Sequence, residues 1–231
     1  LTMFDVISTI MKPIEKIMTG LPGYLVVVLI MQLLWWFGIH GPNVMSAVTT
    51  PFMTKMMATN LELYQAGEGV TASGVFYTAG SKYSIIANPF ASGWFSSTGS
   101  GITMGLIVAI MLFSKRDDFK AIAKLAIPCG LFNINEPIIF GIPMVMNAMF
   151  AVPFFLAPVA CVCCGYLVQS LGLCPLFVID VPWTTPVGLF GFLASSGNIM
   201  GAIWQAVIIL GVSTLIYTPF VIAANRQEAA A

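Results

Sequence analysis

The residues Phe132-Asn133-Ile134-Asn135-Glu136-Pro137-Ile138-Ile139-Phe140-Gly141-Ile142-Pro143 set an acid and two amides inside a long apolar run. Glu136 is the only charged residue between Lys124 and Asp180. A carboxylate at bilayer depth costs roughly 2.5–3.5 kcal/mol on insertion scales, so such a group is rare and usually functional. Pro137 removes a backbone donor and disfavours helical geometry at Glu136, so a helix breaks at the acid. Two further polar-aromatic breaks share this arrangement. His40, the sole histidine, lies in Gly38-Ile39-His40-Gly41-Pro42-Asn43 after Trp35, Trp36 and Phe37. Trp183 lies in Val181-Pro182-Trp183-Thr184-Thr185-Pro186. A carboxylate, a neutral imidazole and an amide can all exchange hydrogen bonds with hydroxyl groups. An indole face suits the C–H face of a pyranose. Together these groups fit an uncharged, polyhydroxylated ligand held by directional bonds.

Each residue also has a structural reading. Glu136 could cap the helix that follows or pair with a lysine. Asn133 and Asn135 could satisfy freed backbone groups. Trp35, Trp36 and Trp183 could be interfacial anchors. Asp180 is expected to face water or to cap the turn before Pro182. Cys161, Cys163 and Cys164 have no histidine or acid beside them, so apolar packing is expected rather than a metal site. Gly99-Ser100-Gly101 is too short a glycine pattern to indicate a phosphate cradle, and no cofactor is expected.

The elements that must position these groups are membrane spans. The 231 residues are 58% hydrophobic and 8% charged, with zero formal net charge. Soluble domains average about 25% charged residues. The expectation is an all-α integral membrane protein, a helical bundle with re-entrant hairpins and broken helices. The absence of net positive charge argues against nucleic acid as a partner. Residues 1–20 carry apolar side chains at helical spacing together with Lys12, Glu15 and Lys16, which predicts an amphipathic interfacial helix. The spans are expected at Gly23–His40, around Ile102–Phe113 with a start near Trp94, at Ala148–Leu171 and at Asn198–Ala224. Asn43–Ala66 is expected as a re-entrant pair or a surface hairpin. Gly67–Gly101 is expected as loop or broken helix, Ala121–Asn147 as a hairpin returning to its own side, and Gly172–Gly197 as broken. Lys115, Arg116, Lys120 and Lys124 form a basic loop, which the positive-inside rule makes cytoplasmic. Four crossings accommodate that loop, Lys12, Lys16 and Arg226 on one side.

At Trp35–Gly41, Phe132–Pro143 and Val181–Pro186 the chain resembles the membrane permease subunit, enzyme IIC, of the bacterial phosphoenolpyruvate-dependent phosphotransferase system, in its lactose/cellobiose/chitobiose branch. The resemblance covers the C-terminal half of such a permease, and the start at Leu1, without a signal peptide, looks like that of a fragment. It implies that residues 1–231 are the substrate-binding half of a multi-pass protein of the bacterial cytoplasmic membrane, a homodimer in full-length form. It implies a β-linked disaccharide of the cellobiose, chitobiose or lactose type, phosphorylated at a 6-hydroxyl from a phosphocysteine on a separate IIB protein that is served by IIA. The family's sugar-contacting glutamate and histidine fall on Glu136 and His40, which are thereby also the expected catalytic groups. Its adjacent amide falls on Asn135 and its stacking tryptophan on Trp183. None of the five cysteines here is expected to carry the phosphoryl group.

Two other classes fit the residues without the resemblance. An ion-coupled secondary transporter would use Glu136 as its coupling carboxylate, since broken midplane helices serve such transporters too. A passive assembly subunit would bind no ligand.

Overall fold

The computed structural model describes residues 20–228, so the helix expected over residues 1–20 lies almost wholly outside the described residues. Two apolar helices come first, α1 (Leu21–Trp36) and α2 (Gly41–Gln65), followed by a small hairpin of β1 (Val70–Thr71) and β2 (Gly74–Val75). Short helix α3 (Asn88–Trp94) and α4 (Met104–Phe113) follow, then α5 (Asp117–Leu131), α6 (Glu136–Gly141) and the long α7 (Ala148–Ser170). The chain ends with α8 (Leu189–Ala194), α9 (Ile199–Ala206), a π-helical turn at Val207–Val212, and α10 (Ser213–Glu228). The hairpin is antiparallel, pairing Val70 with Val75 and Thr71 with Gly74.

The sequence punctuates these elements plainly. Proline sits in the first turn of α1, α2, α3 and α6, where its missing N–H costs nothing. Asn147 caps α7 by accepting from Met149 N at 3.0 Å, and Asn198 caps α9 by accepting from Met200 N at 2.7 Å. Asp117 and Asp118 open α5, where the helix dipole favours acid.

Side-chain and backbone bonds define two ends of the bundle. At the basic end, Asn225 Nδ2 donates to the Phe113 carbonyl at 2.9 Å, and its Oδ1 accepts from Lys115 N at 2.8 Å. Phe119 meets Phe150 there, with ring centroids 6.2 Å apart, and Met146 N donates to the Trp36 carbonyl at 3.0 Å. At the hairpin end, Leu176 N donates to the Val75 carbonyl at 2.7 Å, and Trp204 Nε1 donates to the Leu173 carbonyl at 3.0 Å.

Among the described residues, five legs run between these ends: α1, α2, the broken leg 88–113, α7, and 199–228 with its π turn. Two of them, Ala148–Ser170 and Ile199–Arg226, are long and apolar enough to cross a membrane as unbroken helices. Two hairpins enter from opposite ends and return: 117–147 from the basic end and 175–198 from the hairpin end. The 117–147 hairpin agrees with expectation. Asn43–Ala66 does not, because it forms one 25-residue helix, α2, with Pro51 inside it. Lys55, Glu62 and its other polar residues make the stretch less apolar than a lipid-facing span, yet the long helix packs along α1, and Gly41 lies against the backbone of Met31. Five legs therefore replace the four crossings expected, and Leu21 and Arg226 end up at opposite ends.

Two buried clusters hold the legs together. One, toward the hairpin end, includes Tyr24, Phe90, Trp94, Phe177 and Phe190. The other, toward the basic end, includes Trp35, Ile107, Phe150, Phe154 and Tyr217. Trp94 stacks on Phe177 at 5.2 Å and 8°. Val26, Leu29 and Leu33 on α1, Val152, Leu156 and Leu167 on α7, and Val207 and Leu215 near the C-terminus are exposed. An apolar exterior is the natural surface for a bundle in lipid.

Candidate functional site

The site begins with a break inside the 117–147 hairpin. Helix α5 ends at Leu131, and Asn133 turns the chain in the left-handed region at φ 66°. Asparagine tolerates that geometry better than most side chains. Pro137 then restarts a helix, so Glu136 becomes the first residue of α6 and Asn135 its cap position.

Both asparagines are buried and spend their amides on backbone. Asn133 Oδ1 accepts from Thr98 N at 2.6 Å. Its Nδ2 donates to the Trp183 carbonyl at 2.5 Å and to the Thr185 carbonyl at 2.9 Å. Asn135 Nδ2 donates to the Ser100 carbonyl at 2.6 Å. These bonds match the structural reading for Asn133 and for the Nδ2 of Asn135.

The partner of both is the break in the leg 88–113, a buried loop with Thr98, Gly99, Gly101 and Ile102 all at positive φ. Such conformations cost of order 1–3 kcal/mol each for residues with side chains, and persist only where the surroundings over-determine them. Here the surroundings are explicit. Tyr217 Oη donates to the Gly101 carbonyl at 2.7 Å, and Thr103 Oγ1 donates to the Thr98 carbonyl at 3.1 Å. At Gly99 a Cβ would stand 2.4 Å from Asn135 Cγ. The short glycine pattern at 99–101 is therefore the floor of the site. Its signal in the sequence was the run of small polar residues Ser96, Ser97 and Thr98 leading into two glycines between apolar helices.

Glu136 differs from its neighbours. It is half-buried, and among the described residues its carboxylate has no hydrogen-bond or ion-pair partner; it caps nothing. Phe140 follows one helical turn later. The Phe140 ring lies 6.4 Å from Trp35, and Trp35 lies 4.7 Å from the His40 ring at 52°. His40 is exposed and caps α2, its Nδ1 accepting from Asn43 N at 3.2 Å. With Nδ1 an acceptor, a neutral ring carries its proton on Nε2, free to donate. Trp35 Nε1, Trp36 Nε1 and both polar atoms of Gln32 are buried without partners among the described residues.

Trp183 sits in the turn where the opposite hairpin reaches the break. Its carbonyl is held by Asn133, while the residue is 56% exposed. The structure thus joins Asn133, Asn135, Glu136 and the Trp183 backbone directly, and joins His40 to the helix of Glu136 through Trp35 and Phe140. It does not enclose the four expected site residues in one cavity. A cleft of about 460 Å³ opens next to Trp183, lined by Tyr64, Asp180, Val181, Pro182 and Ser196, with neither Glu136 nor His40 on its wall. Asp180 is exposed and accepts from Asn88 Nδ2 at 3.1 Å. Cys161 is buried, its Sγ 3.6 Å from the Ile208 carbonyl, and no cluster of ligating side chains that could hold a metal occurs among the described residues.

A carboxylate without a partner among the described residues and an imidazole N–H can each exchange hydrogen bonds with hydroxyl groups, and an exposed indole can cover an apolar ring face. Comparison with known proteins points the same way. The family profile described as "Phosphotransferase system, EIIC" matches residues 2–158. The chain is 36% identical over 234 residues to the PTS system cellobiose-specific EIIC component of Lactococcus lactis subsp. lactis (strain IL1403), covering 95% of this chain and 46% of that protein. It is 34% identical over 231 residues to the PTS system oligo-beta-mannoside-specific EIIC component of Bacillus subtilis (strain 168), covering 99% and 49%. Among solved structures it is similar to the transporter ChbC, the IIC component from the N,N'-diacetylchitobiose-specific phosphotransferase system. That match has a TM-score of 0.84 and 32% identity, over 95% of this chain and 48% of the other. The chain spans about half the length of the curated relatives it matches.

Proposed function

This chain belongs to the phosphotransferase-system EIIC family, an integral membrane family, and from that premise we propose that residues 1–231 form the substrate-binding half of a sugar permease. The ligand is a β-linked disaccharide of the cellobiose, chitobiose or lactose type. The setting is the bacterial cytoplasmic membrane, crossed several times, with a homodimer as the full-length form. The phosphoryl donor is a phosphocysteine on a cytoplasmic IIB protein recharged by IIA.

The observation that carries this reading is the Glu136 carboxylate, half-buried at the meeting point of two opposed hairpins with no partner of its own among the described residues. A carboxylate left unsatisfied in an apolar setting is costly unless something arrives to bind it. A sugar hydroxyl fits, since it donates to the carboxylate and accepts from His40 Nε2–H. In the transfer step the hydroxyl oxygen forms a bond to phosphorus as the S–P bond of phosphocysteine breaks. Glu136 orients that hydroxyl or takes its proton. His40 and Glu136 are the reacting pair, Asn135 shapes the seam beside them, and Trp183 offers its face to the sugar ring. The exposed position of His40 near the basic end supports access from the cytoplasmic side. The phosphotransferase-system names of the relatives support this reading over ion coupling.

Glu136→Gln and His40→Ala test it in the membrane-inserted protein, with any chain that flanks residues 1–231 retained. A hydrogen bond to a charged group is worth about 1.5–3 kcal/mol and a neutral one about 0.5–1.5 kcal/mol, so Glu136→Gln is expected to bind cellobiose, N,N'-diacetylchitobiose or lactose about 10–100-fold more weakly, His40→Ala about 2–10-fold more weakly, and both to lose uptake. Near-normal uptake by both would overturn the proposed site. Uptake that survives loss of the phosphorelay and collapses with an uncoupler would transfer Glu136 to an ion-coupled mechanism.

A further inference from the structure

One side chain links three separate segments at the seam. Asn133 lies three residues before Glu136 and is buried. Its Oδ1 holds the strained loop of the broken leg through Thr98 N, and its Nδ2 holds the opposite hairpin through the carbonyls of Trp183 and Thr185. All three bonds lie between 2.5 and 2.9 Å. The two carbonyls flank the turn that displays the exposed Trp183 side chain. Among the described residues, no other hydrogen bond joins the hairpin 175–198 to the stretch 133–136.

We infer that Asn133 is a positioning residue that sets the height and tilt of Trp183 relative to Glu136, and so decides whether one sugar can touch both. The inference rests on the reading of Trp183 as a sugar platform. Asn133 needs no contact with the ligand. A planar amide offers an acceptor on one side and two donors on the other, which is what one N–H and two carbonyls require. Its left-handed backbone, φ 66°, aims that amide across the seam rather than along α5. Serine, threonine or alanine cannot supply both ends, and a carboxylate would set an oxygen against two carbonyl oxygens.

Asn133→Asp separates the two ends of the bridge. It keeps the acceptor for Thr98 N and a side chain tolerant of positive φ, but it loses both donors to the Trp183 turn. Cellobiose binding is measured for Asn133→Asp, Trp183→Ala and the double variant, in the membrane-inserted protein with any flanking chain retained. Removing an indole stack and loosening its support act through one contact, so a double-mutant cycle reveals the dependence. Trp183→Ala is expected to weaken binding about 10-fold or more, and Asn133→Asp about 5–20-fold. In the Trp183→Ala background, Asn133→Asp is then expected to change binding less than about 2-fold.

If the two losses multiply instead, Asn133 supports the fold alone and the inference is overturned, while the sugar site stands. If Trp183→Ala leaves binding unchanged, the platform itself is wrong and the inference fails with it. Should Asn133→Asp not insert, Asn133→Gly keeps the left-handed backbone, removes both ends of the bridge, and enters the same cycle with the same outcomes.

Discussion

Gly99 and Gly80 share a left-handed backbone, at φ 79° and 88°, but differ in their surroundings. A Cβ on Gly80 would meet nothing within 4 Å, whereas one on Gly99 would lie 2.4–2.8 Å from three atoms of the Asn135 side chain. Gly80→Ala is therefore expected to cost only the backbone strain, about 1–2 kcal/mol. Gly99→Ala adds displacement of Asn135 from the Ser100 carbonyl, which leaves buried polar groups unpaired at about 1–3 kcal/mol more. Thermal unfolding in detergent, with cellobiose binding measured beside it, checks this. Gly99→Ala should lose more stability than Gly80→Ala and should also weaken the sugar, and equal losses would mean that Asn135 needs no such fit. At this scale Glu136 was legible because a lone charge in an apolar run is conspicuous. The role of Gly99 was not, because the residue that demands a missing Cβ is thirty-six positions away in sequence.

Helix α8 is only six residues long, and its hold on the bundle depends on one buried amide. Gln205 Oε1 accepts from Gly188 N and Gly191 N, each at 2.8 Å, while Nε2 donates to the Gly93 carbonyl at 3.0 Å and to Ser97 Oγ at 3.1 Å. These bonds tie the returning arm of the hairpin 175–198 to the broken leg just before the strained loop that Asn133 holds. Gln205→Leu keeps much of the volume but orphans the N–H groups of Gly188 and Gly191, at about 1–3 kcal/mol each before relaxation, while the Gly93 carbonyl keeps its bond from Ser97 Oγ at 2.8 Å. Hydrogen exchange should then accelerate at residues 188–194 well before the ends of α7 respond. Uniform protection across α8 would show that apolar contacts of Phe190 alone suffice. Proline, glycine and capping asparagine announced most helix ends in the sequence. What they could not announce was a glutamine acting on two other segments, since a lone Gln in an apolar helix has the same local signature whether or not it has partners.

Between α10 and the basic loop, Asn225 fixes one end of the bundle; between β2 and Leu176, a backbone bond fixes the other. The leg that joins them, Ile199–Arg226, has 28 residues, about 42 Å at helical rise, which spans a hydrocarbon core of about 30 Å with room at both faces. Lys115, Arg116, Lys120 and Lys124 cluster at the first end, where Arg116 pairs with Asp118 at 2.5 Å and lowers its pKa below the usual carboxylate value. Glu68 and Lys82 pair at 2.9 Å near the second. The positive-inside rule counts basic residues near span ends and gives little weight to acids; Lys115, Arg116, Lys120 and Lys124, with Arg226, outnumber Lys82 taken together with Lys12 and Lys16, which precede α1 in the sequence, so the first end is expected in the cytoplasm. The polarity of α2 had hidden one leg from the hydropathy pattern, and a miscounted leg reverses the side assigned to everything before it. Single cysteines introduced at Ile39, Ser73 and Lys115, in a background lacking the five native ones, decide the matter, because α2 lies between positions 39 and 73 and the leg 88–113 between 73 and 115. An impermeant maleimide applied to intact cells should label position 73 and spare positions 39 and 115 until the membrane is opened. Labelling of 39 together with 73 would return α2 to the surface and restore four crossings; labelling of 39 and 115 with 73 spared would invert the bundle and carry His40 away from the side of the proposed phosphoryl donor.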